Sequence, residues 1–400
     1  MNNKKLHIVF VTRELGINKN TGGIGTYVWD LAKSIVKGDN DVTIITEKVN
    51  NVPEEFKVVE GVNIIFLESE KPYNPYLNPY KYWTEFRRYR KNIADTIKKL
   101  HENKKIDIIE FPEFRAENFM CDNSIPTIIR WHTPLGNEIS LRKIIYYPIG
   151  KIIRYLEIKS LKKAKCITFP SDWMKKKVEE VIQIQSTKKV VIPNGINIDE
   201  WDFKKGKNVF RNTTESEINI VYAGTLIKRK GINELIEAIK ILRNKGYCIN
   251  LYLIGRQSSY SKKILKKDKE LNEKWLNVIE PLERRILNQY YIQADISCFP
   301  SWFETVGIVS LEAMASKSIV LASKNSGMKE IIKDGYNGFL VEPKDIMGLA
   351  NKLEEIIKID KNIKQEIKEQ ARVTIEQTIA NNVVIKQYIE LCRKIKDIKG

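Results

Sequence analysis

The stretch INIVYAGTLIKRKGINELIEAIKILRNKGYCINLYLIG, residues 218–255, carries the clearest structural pattern in the chain. It begins and ends with short apolar runs, INIVYAG and INLYLIG, that are typical of buried β-strands. Between them lie a basic loop and a run whose apolar residues recur at the spacing of an amphipathic helix. A strand, a helix and a second strand in this order predict two parallel strands joined by a crossover helix.

The same alternation extends over both halves of the chain. The further predicted strands are residues 6–14, 41–47, 106–111, 125–132, 166–171, 189–195, 275–281, 295–301, 319–324 and 337–343. We therefore predict an α/β fold with two units, which meet where Pro193 and Gly195 bend the chain. The expected domains are residues 1–192 and 193–378, and a helix over residues 379–400 is expected to return toward the N-terminal domain.

Length and composition fit this organisation. A chain of 400 residues with 42% hydrophobic content is long enough for two domain cores. We find no apolar run long enough for a transmembrane helix, and the N-terminal apolar run ends in charge without a cleavage site, as a first strand would. Five scattered cysteines without a CxxC pair are typical of reduced thiols, so we expect a cytoplasmic protein.

The net charge of +18 is concentrated in one region. Residues 141–178 contain eleven Lys and Arg but two Asp and Glu. Two interpretations stay open: a solvated helix face, or a contact surface for an anionic membrane or a polyanion. A basic nucleic-acid-binding protein is a weaker alternative, because the sequence has no RNP, KH or zinc pattern.

A glycine-rich turn precedes the first predicted helix. TGGIGTYV, residues 21–28, contains Gly23-x-Gly25, but Val28 occupies the place of the third glycine of a dinucleotide fingerprint. A glycine turn that opens a helix still allows backbone amides to approach a phosphate or a sugar. Gly22 and Gly23 are therefore candidate ligand contacts.

A second loop places cations next to a helix start. GTLIKRKG, residues 224–231, follows a predicted strand and carries Lys228, Arg229 and Lys230 immediately before Gly231. Positive side chains beside the free amides of a helix N-terminus suit a diphosphate by charge and by hydrogen bonding. The alternative is a solvated basic loop.

Two glutamates flank a third loop. In FETVGIVSLEAMAS, Glu304 lies on the exit of a predicted strand and Glu312 on the helix that follows. The amides of Gly307, Ile308 and Val309 would form an anion site at the start of that helix. Glu312 could then bind neutral hydroxyls such as a ribose diol, while Glu304 could address the group on the far phosphate. The alternative for Glu312 is a favourable interaction with the helix dipole, about 1 kcal/mol at most.

At these residues the sequence resembles family 4 of the retaining glycosyltransferases, whose E-x7-E signature matches Glu304 and Glu312. The segments GGIGTYVWDLAKSI, VVIPNGIN, GTLIKRKG and SGMKEIIKDGYNGFLVEP are similar to other family segments in the same order. The resemblance implies a GT-B architecture, with two Rossmann-like domains that face each other across a cleft. It also implies transfer of a hexose-type sugar from a nucleotide-diphosphate sugar to an acceptor hydroxyl with retention.

The resemblance assigns roles residue by residue. Lys230 would hold the diphosphate, Glu304 would lie at the donor sugar and reaction centre, and Glu312 would bind the ribose. Gly307, Ile308 and Val309 would donate backbone hydrogen bonds to sugar and phosphate. His132 matches a histidine near the donor sugar, which makes it a candidate catalytic residue beside Glu304; the alternative is a structural histidine. Arg256 and Leu282 fall where the family binds the base.

One departure concerns the phosphate loop. Thr225 stands where the family has an arginine, so the diphosphate loses a bidentate donor unless Lys228 or Arg229 replaces it. We expect no cofactor and no catalytic metal, because Asp39-x-Asp41 falls in a helix-to-strand turn away from the strand ends that bind ligands. Lys230 and the helix amides would stabilise the leaving group instead.

The expected partners are a nucleotide sugar and a glycan or lipid-linked acceptor. The acceptor is expected on the basic, aromatic segments 73–90 and 142–165, which also suit a peripheral position at the inner face of the cell membrane. A sugar-nucleotide epimerase of the same architecture is the alternative, with Glu113 and His132 as its candidate acid and base groups.

Overall fold

The computed structural model describes residues 4–15, 23–48, 58–71, 77–132, 148–182, 187–202, 204, 206, 208–210, 217–270 and 274–397. The chain divides into two compact units. Unit 1 comprises Met1–Gly195 and Asn382–Gly400, and unit 2 comprises Ile196–Asn381.

Unit 1 is built on one sheet. Its strands are β1 His7–Val11, β2 Asp41–Glu47, β3 Val58–Val59, β4 Val62–Leu67, β5 Ile108–Pro112, β6 Thr127–Arg130, β7 Cys166–Phe169 and β8 Lys188–Val191. They lie in the order β3-β4-β2-β1-β5-β6-β7-β8, and all neighbours are parallel except the short β3, which is antiparallel to β4. The apolar runs of the central strands are buried on both faces, as expected for a parallel sheet covered by helices.

Helices of unit 1 connect the parallel strands. They are α1 Gly23–Lys37, α2 Pro79–Asn103, α3 Pro148–Lys163 and α4 Asp172–Glu179. A proline in the first turn of α2 costs nothing there, because its missing N–H has no partner at a helix start. Ser171 caps α4, since its side chain accepts a hydrogen bond from the amide of Met174 at 3.2 Å.

Unit 2 repeats the plan with a fully parallel sheet. Its strands are β9 Ile218–Ala223, β10 Ile249–Ile254, β11 Leu276–Ile279, β12 Ile296–Phe299, β13 Val320–Ser323 and β14 Phe339–Val341. Their order is β11-β10-β9-β12-β13-β14, which is the order of a Rossmann fold numbered 3-2-1-4-5-6. The prediction of two α/β units with Rossmann-like sheets is confirmed.

Helices of unit 2 follow its strands. They are α5 Ile232–Asn244, α6 Ser259–Glu270, α7 Arg284–Gln293, α8 Ile308–Ala315, α9 Ile346–Lys358 and α10 Lys361–Thr378. The last helix of the chain, α11 Asn381–Lys396, lies with unit 1 from Asn382 onward. Its Tyr388 stacks on Phe10 of β1 with ring centroids 6.1 Å apart, and its Lys396 pairs with Asp107 at 2.7 Å.

Candidate active site

The sheet of unit 2 has a topological switch point between β9 and β12. The chain moves from β9 to β10 and β11 on one side, and then returns to β12 and continues to β13 and β14 on the other. The loops after the two central strands therefore diverge and leave an opening, where open α/β sheets bind ligands. These loops are residues 224–231 after β9 and residues 300–307 after β12.

An ion pair joins the two loops. The ammonium of Lys230 contacts Oε2 of Glu304 directly, and Nη1 of Arg229 lies 3.6 Å from the same oxygen. The side chains of Lys230 and Glu304 are only 16% and 14% exposed, so little water screens the attraction. Burial alone would raise the pKa of Glu304. The two cations, the Lys230 hydrogen bond and the amide of Thr305 outweigh burial, and they hold that pKa below its usual value.

Gly231 allows this close approach. Its φ is +73°, and a Cβ atom at this position would overlap the carbonyl oxygen of Pro300. Hydrogen bonds then fix the approach, because the amide of Trp302 donates to the carbonyl of Arg229 at 2.8 Å. The guanidinium of Arg229 in turn donates to the carbonyl of Phe303 at 3.2 Å. The basic triplet and Glu304 are thus held together through their backbones.

The loop after β13 supports Glu304 from the other side. The amide of Glu304 donates to the carbonyl of Asn325 at 3.3 Å, and the amide of Gly327 donates to the carbonyl of Thr305 at 3.1 Å. The side-chain amide of Asn325 also donates to the carbonyl of Trp302 at 2.7 Å. Glu304 is therefore positioned by segments that follow three different strands, β9, β12 and β13.

The start of α8 lies directly beside Glu304. Gly307 precedes the helix with φ +88°, and a Cβ atom there would lie 3.2 Å from Cγ of Glu304 and 3.3 Å from Oγ of Ser310. Within the described chain no side chain caps this helix. The first amides of a helix lack carbonyl partners and carry its positive dipole end, so this end can receive an anion.

A shallow recess opens at this point. Its lining includes the predicted site residues Lys230, Glu304, Gly307 and Val309. The predicted Ile308 and Glu312 do not line it. Glu312 is buried on α8, where its charge adds to the effect of burial in raising the pKa of the Tyr291 phenol.

Three predicted nucleotide contacts lie along the same sheet edge. Thr225 and Arg256 are exposed just beyond β9 and β10, and Leu282 is half-buried beyond β11. The amide of Leu226 donates to the carbonyl of Arg256 at 2.9 Å, which joins two of the loops. Because β9, β10 and β11 are successive neighbours, these residues form a row that starts near the Lys230–Glu304 pair and ends at the β11 edge of the sheet.

Sequence reasoning missed Trp302 in this site. Its indole Nε1 donates to Oε1 of Glu234 on α5 at 2.8 Å. The ammonium groups of Lys344 and Lys228 lie 4.5 and 5.4 Å from its ring centroid, within cation–π range. The available signal was the tryptophan itself, two positions before Glu304. A tryptophan that packs into a loop needs a hydrogen-bond acceptor for its indole N–H.

Unit 1 holds the predicted His132 after β6. Its ring packs edge-on against Tyr27 of α1, with centroids 5.2 Å apart, and its amide donates to Oε2 of Glu113 at 3.0 Å. Burial and the nearby guanidinium of Arg130 hold the pKa of His132 well below its usual value, so the ring is neutral at pH 7. Gly23 begins α1, one turn before Tyr27.

Gly22, the other predicted glycine contact, lies outside the described residues. The same holds for residues 133–147, which include part of the basic region singled out from the sequence.

Sequence reasoning also missed a buried network of charged and polar side chains that includes one residue of β5 and one of β6. Arg130 is fully buried and donates to Oδ1 of Asn194 at 2.6 Å, while Glu110 accepts from the phenol of Tyr388 at 2.9 Å. Burial raises the pKa of Glu110 to about 7 although Arg130 and the Tyr388 hydrogen bond oppose it. The signal was a charged residue within each of two largely apolar runs, Glu110 in IDIIEF and Arg130 in IPTIIRWH.

Of the pair Asp39-x-Asp41, Asp39 lies in the turn before β2 and Asp41 is the first residue of that strand. Asp39 and Asp41 both pair with Lys5, at 3.4 and 3.2 Å, and Asp41 also pairs with Lys104 at 2.6 Å. Among the described residues, no group of three or more His, Cys, Asp or Glu could hold a metal ion. A search of the same residues finds no helix that is both long and apolar enough to cross a membrane.

Comparisons with known families identify the chain. Residues 204–374 match the family model described as "Glycosyl transferases group 1", and residues 21–200 match the one described as "Glycosyltransferase Family 4". Two Rossmann-like units with these matches define a glycosyltransferase of the GT-B class. The chain belongs to glycosyltransferase family 4 and is a transferase.

Among named relatives, the capsular polysaccharide biosynthesis glycosyltransferase CapM of Staphylococcus aureus is 28% identical over 195 residues. The lipopolysaccharide 1,2-N-acetylglucosaminetransferase of Salmonella typhimurium is 30% identical over 197 residues. These matches cover 48% and 46% of this chain, and they span about half of each relative, 50% and 51%.

Solved structures share the fold over nearly the whole chain. Sucrose-phosphate synthase from Thermosynechococcus elongatus aligns with a TM-score of 0.81 at 19% identity, over 98% of this chain and 99% of that one. Anabaena HepE in complex with UDP and glucose aligns with a TM-score of 0.71 at 17% identity, over 97% and 100%.

Proposed function

We propose that the protein transfers a hexose-type sugar from a nucleotide-diphosphate sugar to an acceptor hydroxyl, with retention at the anomeric carbon. One observation carries the proposal: the ammonium of Lys230 and the carboxylate of Glu304 meet beside the start of α8 at the switch point of the unit 2 sheet. Cations and free helix amides suit a diphosphate, and a carboxylate next to them suits the sugar attached to it.

The diphosphate is the leaving group of this reaction, and it gains negative charge as the glycosidic bond breaks. Lys230, with Arg229 beside it, neutralises that charge from one side. The amides of Gly307, Ile308 and Val309 donate from the other side, and they are fixed by the helix before the reaction begins. This arrangement requires no metal ion for leaving-group departure.

Glu304 acts on the sugar. Its lowered pKa keeps it ionised at pH 7, so that it can orient sugar hydroxyls and stabilise positive charge at the anomeric carbon. In a same-face reaction the departing phosphate takes up the acceptor proton, and the acceptor oxygen bonds to the anomeric carbon. Retention follows from this path, which uses no protein nucleophile.

The nucleoside extends along the edge toward β11. Glu312 binds the ribose in this proposal, which requires its buried carboxylate to become accessible when the donor binds. Arg256 and Leu282 contact the base, and Thr225 contacts the diphosphate. UDP in the HepE structure supports a nucleoside diphosphate as the leaving group. From unit 1, the proposal keeps His132 as a neutral hydrogen-bonding group for the donor sugar and Gly22 and Gly23 as donor contacts, on the strength of the family resemblance.

The acceptor is a glycan or lipid-linked precursor of a cell-surface polysaccharide, used at the inner face of the cell membrane. The names of CapM and of the lipopolysaccharide transferase support this class of product. The acceptor binds the basic, aromatic part of unit 1.

The test begins with a panel of UDP-, GDP-, ADP- and TDP-sugars, screened by thermal shift. Donors that bind are then incubated with and without a bacterial glycolipid extract, and NMR follows the nucleoside diphosphate released and the anomeric configuration formed. We expect acceptor-dependent release, an axial donor linkage kept in the product, and no loss of rate with EDTA. Conversion of the donor into another nucleotide sugar without an acceptor would identify an epimerase instead, and an inverted product would refute retention.

A further inference from the structure

A cavity of about 400 Å³ opens in unit 2 at the C-terminal end of α8. Its lining comes from residues 201, 202 and 204, from α7 and α10, and from the end of α8 with the turn that follows. The candidate active site lies at the other end of this helix, roughly 12 Å away. Among the described residues none lines both places, and small-molecule sites have volumes of about 300–1,000 Å³. The cavity is therefore a separate candidate site.

The lining of the cavity is positively charged. Four of its ten residues are cations, and one is an acid: Lys204, Lys317, Lys368, Arg372 and Asp202. Asp202 lies 3.7 Å from Nη2 of Arg372, but its side chain is 72% exposed, so solvent screens its charge. The net positive charge of the lining favours an anionic ligand.

Arg372 already has a structural role. Its Nη1 donates to the carbonyl of Ala315, the last residue of α8, at 2.7 Å, and its Nε donates to Glu376. The helix dipole favours a cation at the C-terminal end of a helix, and Arg372 provides it for α8. The other three cations are lysines, and the end of one helix does not require them.

Lys317 occupies a backbone position that glycine usually fills. It follows the C-cap of α8 with φ +58°, in the left-handed region. Its amide donates to the carbonyl of Met314, and the amide of Ser318 donates to the carbonyl of Ala313, both at 3.0 Å, which is the Schellman arrangement. A lysine is strained here relative to glycine, and such strain is typical of functional positions. The lysine places an ammonium group at the cavity.

The two exposed lysines of the lining can both reach a ligand. Lys317 pairs with Glu369 at 2.7 Å, but these side chains are 47% and 43% exposed, so the pair is weak and an anion can compete with it. Lys204 is exposed, and its carbonyl accepts from the side-chain amide of Gln289 at 3.1 Å. This bond fixes the backbone from which the Lys204 side chain extends.

Buried hydrogen bonds hold the walls of the cavity together. Asn288 of α7 is fully buried, and its side-chain amide donates to the carbonyl of Trp201 at 3.2 Å and to Oγ of Ser316 at 2.8 Å. The bond from Arg372 to Ala315 joins α10 to α8 in the same way. The cavity is therefore formed before a ligand binds, which reduces the entropic cost of binding.

We propose that this cavity binds a small phosphorylated sugar or polyol. Lysine ammonium groups bind phosphate as point charges, and Lys204 and Lys317 supply two of them. Asp202, Ser316 and Gln365 add acceptors and donors that suit the hydroxyl groups of such a ligand. The inference does not depend on the proposed function, because the recess at Lys230 and the cavity have separate linings.

The test is isothermal titration calorimetry of the full-length protein with glucose 6-phosphate and glycerol 3-phosphate. Glucose and glycerol are the uncharged counterparts. We expect at least one phosphate ester to bind, neither counterpart to bind, and the affinity to decrease as salt is added, because salt screens the lysines. The proposal is overturned if neither ester binds, or if an ester binds no more tightly than its counterpart.

Variants locate the site. Lys204→Gln with Lys317→Gln should weaken ester binding about tenfold or more, because glutamine removes the charge and keeps most of the side-chain length. Lys262→Gln with Lys263→Gln is the matched control, since these exposed lysines lie on α6, which contributes no residue to the lining. Equal loss in both double variants would overturn the assignment. Urea unfolding midpoints establish that each variant is folded.

A third variant separates the cavity from the candidate active site, where a phosphate ester could also bind. Ester affinity should be unchanged in Lys230→Ala. Loss of ester binding in Lys230→Ala, with binding retained in the Lys204 and Lys317 double variant, would place the esters at the active site and overturn the proposal. A protein that binds the esters at the cavity but binds no nucleotide sugar would contradict the proposed function alone.

Discussion

Lys230 and Glu304 are 74 positions apart in the chain, yet the ammonium of one contacts the carboxylate of the other. Each follows a central strand of the unit 2 sheet, and these strands, β9 and β12, are adjacent where the chain changes direction. A buried ion pair contributes little net stability, because desolvation opposes the attraction. In the proposed reaction the pair matters for its position: a cation and an anion are fixed beside the start of α8, where one would bind the diphosphate and the other the sugar.

Lys230→Ala should weaken donor binding and shift the pH profile. Without the ammonium, burial acts on Glu304 with only Arg229 and the Thr305 amide in opposition, so the pKa of Glu304 rises. The acidic limb of the transfer rate should therefore move to higher pH, and the donor KM should increase about tenfold or more. Steady-state rates between pH 4 and 8 measure both effects. An unchanged acidic limb would contradict the role of Lys230 in setting the charge of Glu304.

Glu304→Gln should abolish most of the transfer while the fold remains. The amide keeps the shape of the side chain but loses the charge that stabilises the sugar, and such losses reduce kcat by about 10²–10³-fold. Glu342→Gln is the matched control, since Glu342 is exposed and pairs with Lys324 at 3.1 Å outside the site. If both variants retain near-native rates with any donor that binds, Glu304 is not at the reaction centre.

Gly231→Ala should disrupt the site through the backbone. At φ +73° alanine is strained, and its Cβ would also overlap the carbonyl of Pro300 on the neighbouring loop. Gly246→Ala separates the two effects, because Gly246 has φ +96° and no atom within 4 Å of the added Cβ. We expect about 1 kcal/mol of destabilisation for Gly246→Ala and roughly 3 kcal/mol or more for Gly231→Ala. Urea unfolding measures both.

Transfer rates complete this comparison. Gly231→Ala should lose activity in excess of its unfolded fraction, because the clash moves Lys230 away from Glu304. Gly246→Ala should remain active wherever it is folded. Equal destabilisation of the two variants would show that the close approach of the loops is not needed.

The sequence predicts the fold through local patterns that the structure retains. The run at residues 218–255 becomes β9, α5 and β10, because period and turn residues act over a few positions. Val62–Leu67, by contrast, was not predicted as a strand. Asn63 interrupts its apolar run and is exposed, Ile65 and Phe66 are half-buried, and the strand lies near the sheet edge beside the antiparallel β3.

The contacts among the site residues, unlike the strands and helices, could not be predicted from local sequence patterns, and the roles of these residues stay predictions. That Lys230 and Glu304 each follow a strand could be read from the sequence, but their contact depends on strand order, which no local pattern encodes. The support of Glu304 by Asn325 and Gly327 is likewise invisible, because it is made by backbone groups that any residue carries. Glu110 and Arg130 were visible as charges inside strands, but their partners Tyr388 and Asn194 come from distant segments.

Glu110 should make stability fall as pH rises through the neutral range. Its pKa is raised from 4.5 to about 7, chiefly by burial, so the folded protein retains a proton that the unfolded chain releases. The contribution is present in full below pH 4.5, decreases between pH 4.5 and 7, and is lost above pH 7. It amounts to the order of 3 kcal/mol, and Glu110→Gln, which has no proton to release, should lack it.

The measurement is the free energy of unfolding in urea at pH 5, 6, 7 and 8 for the protein and for Glu110→Gln. The difference between the two cancels His7 and His132, whose lowered pKa values reduce stability in the opposite direction, as pH falls. Tyr388→Phe serves as the second variant, because it removes a hydrogen bond that lowers the pKa of Glu110. In Tyr388→Phe, the pH range over which the free energy of unfolding decreases should therefore extend to higher pH. A difference that is flat across all four pH values would mean that Glu110 is ionised in the folded protein, with Arg130 compensating its burial.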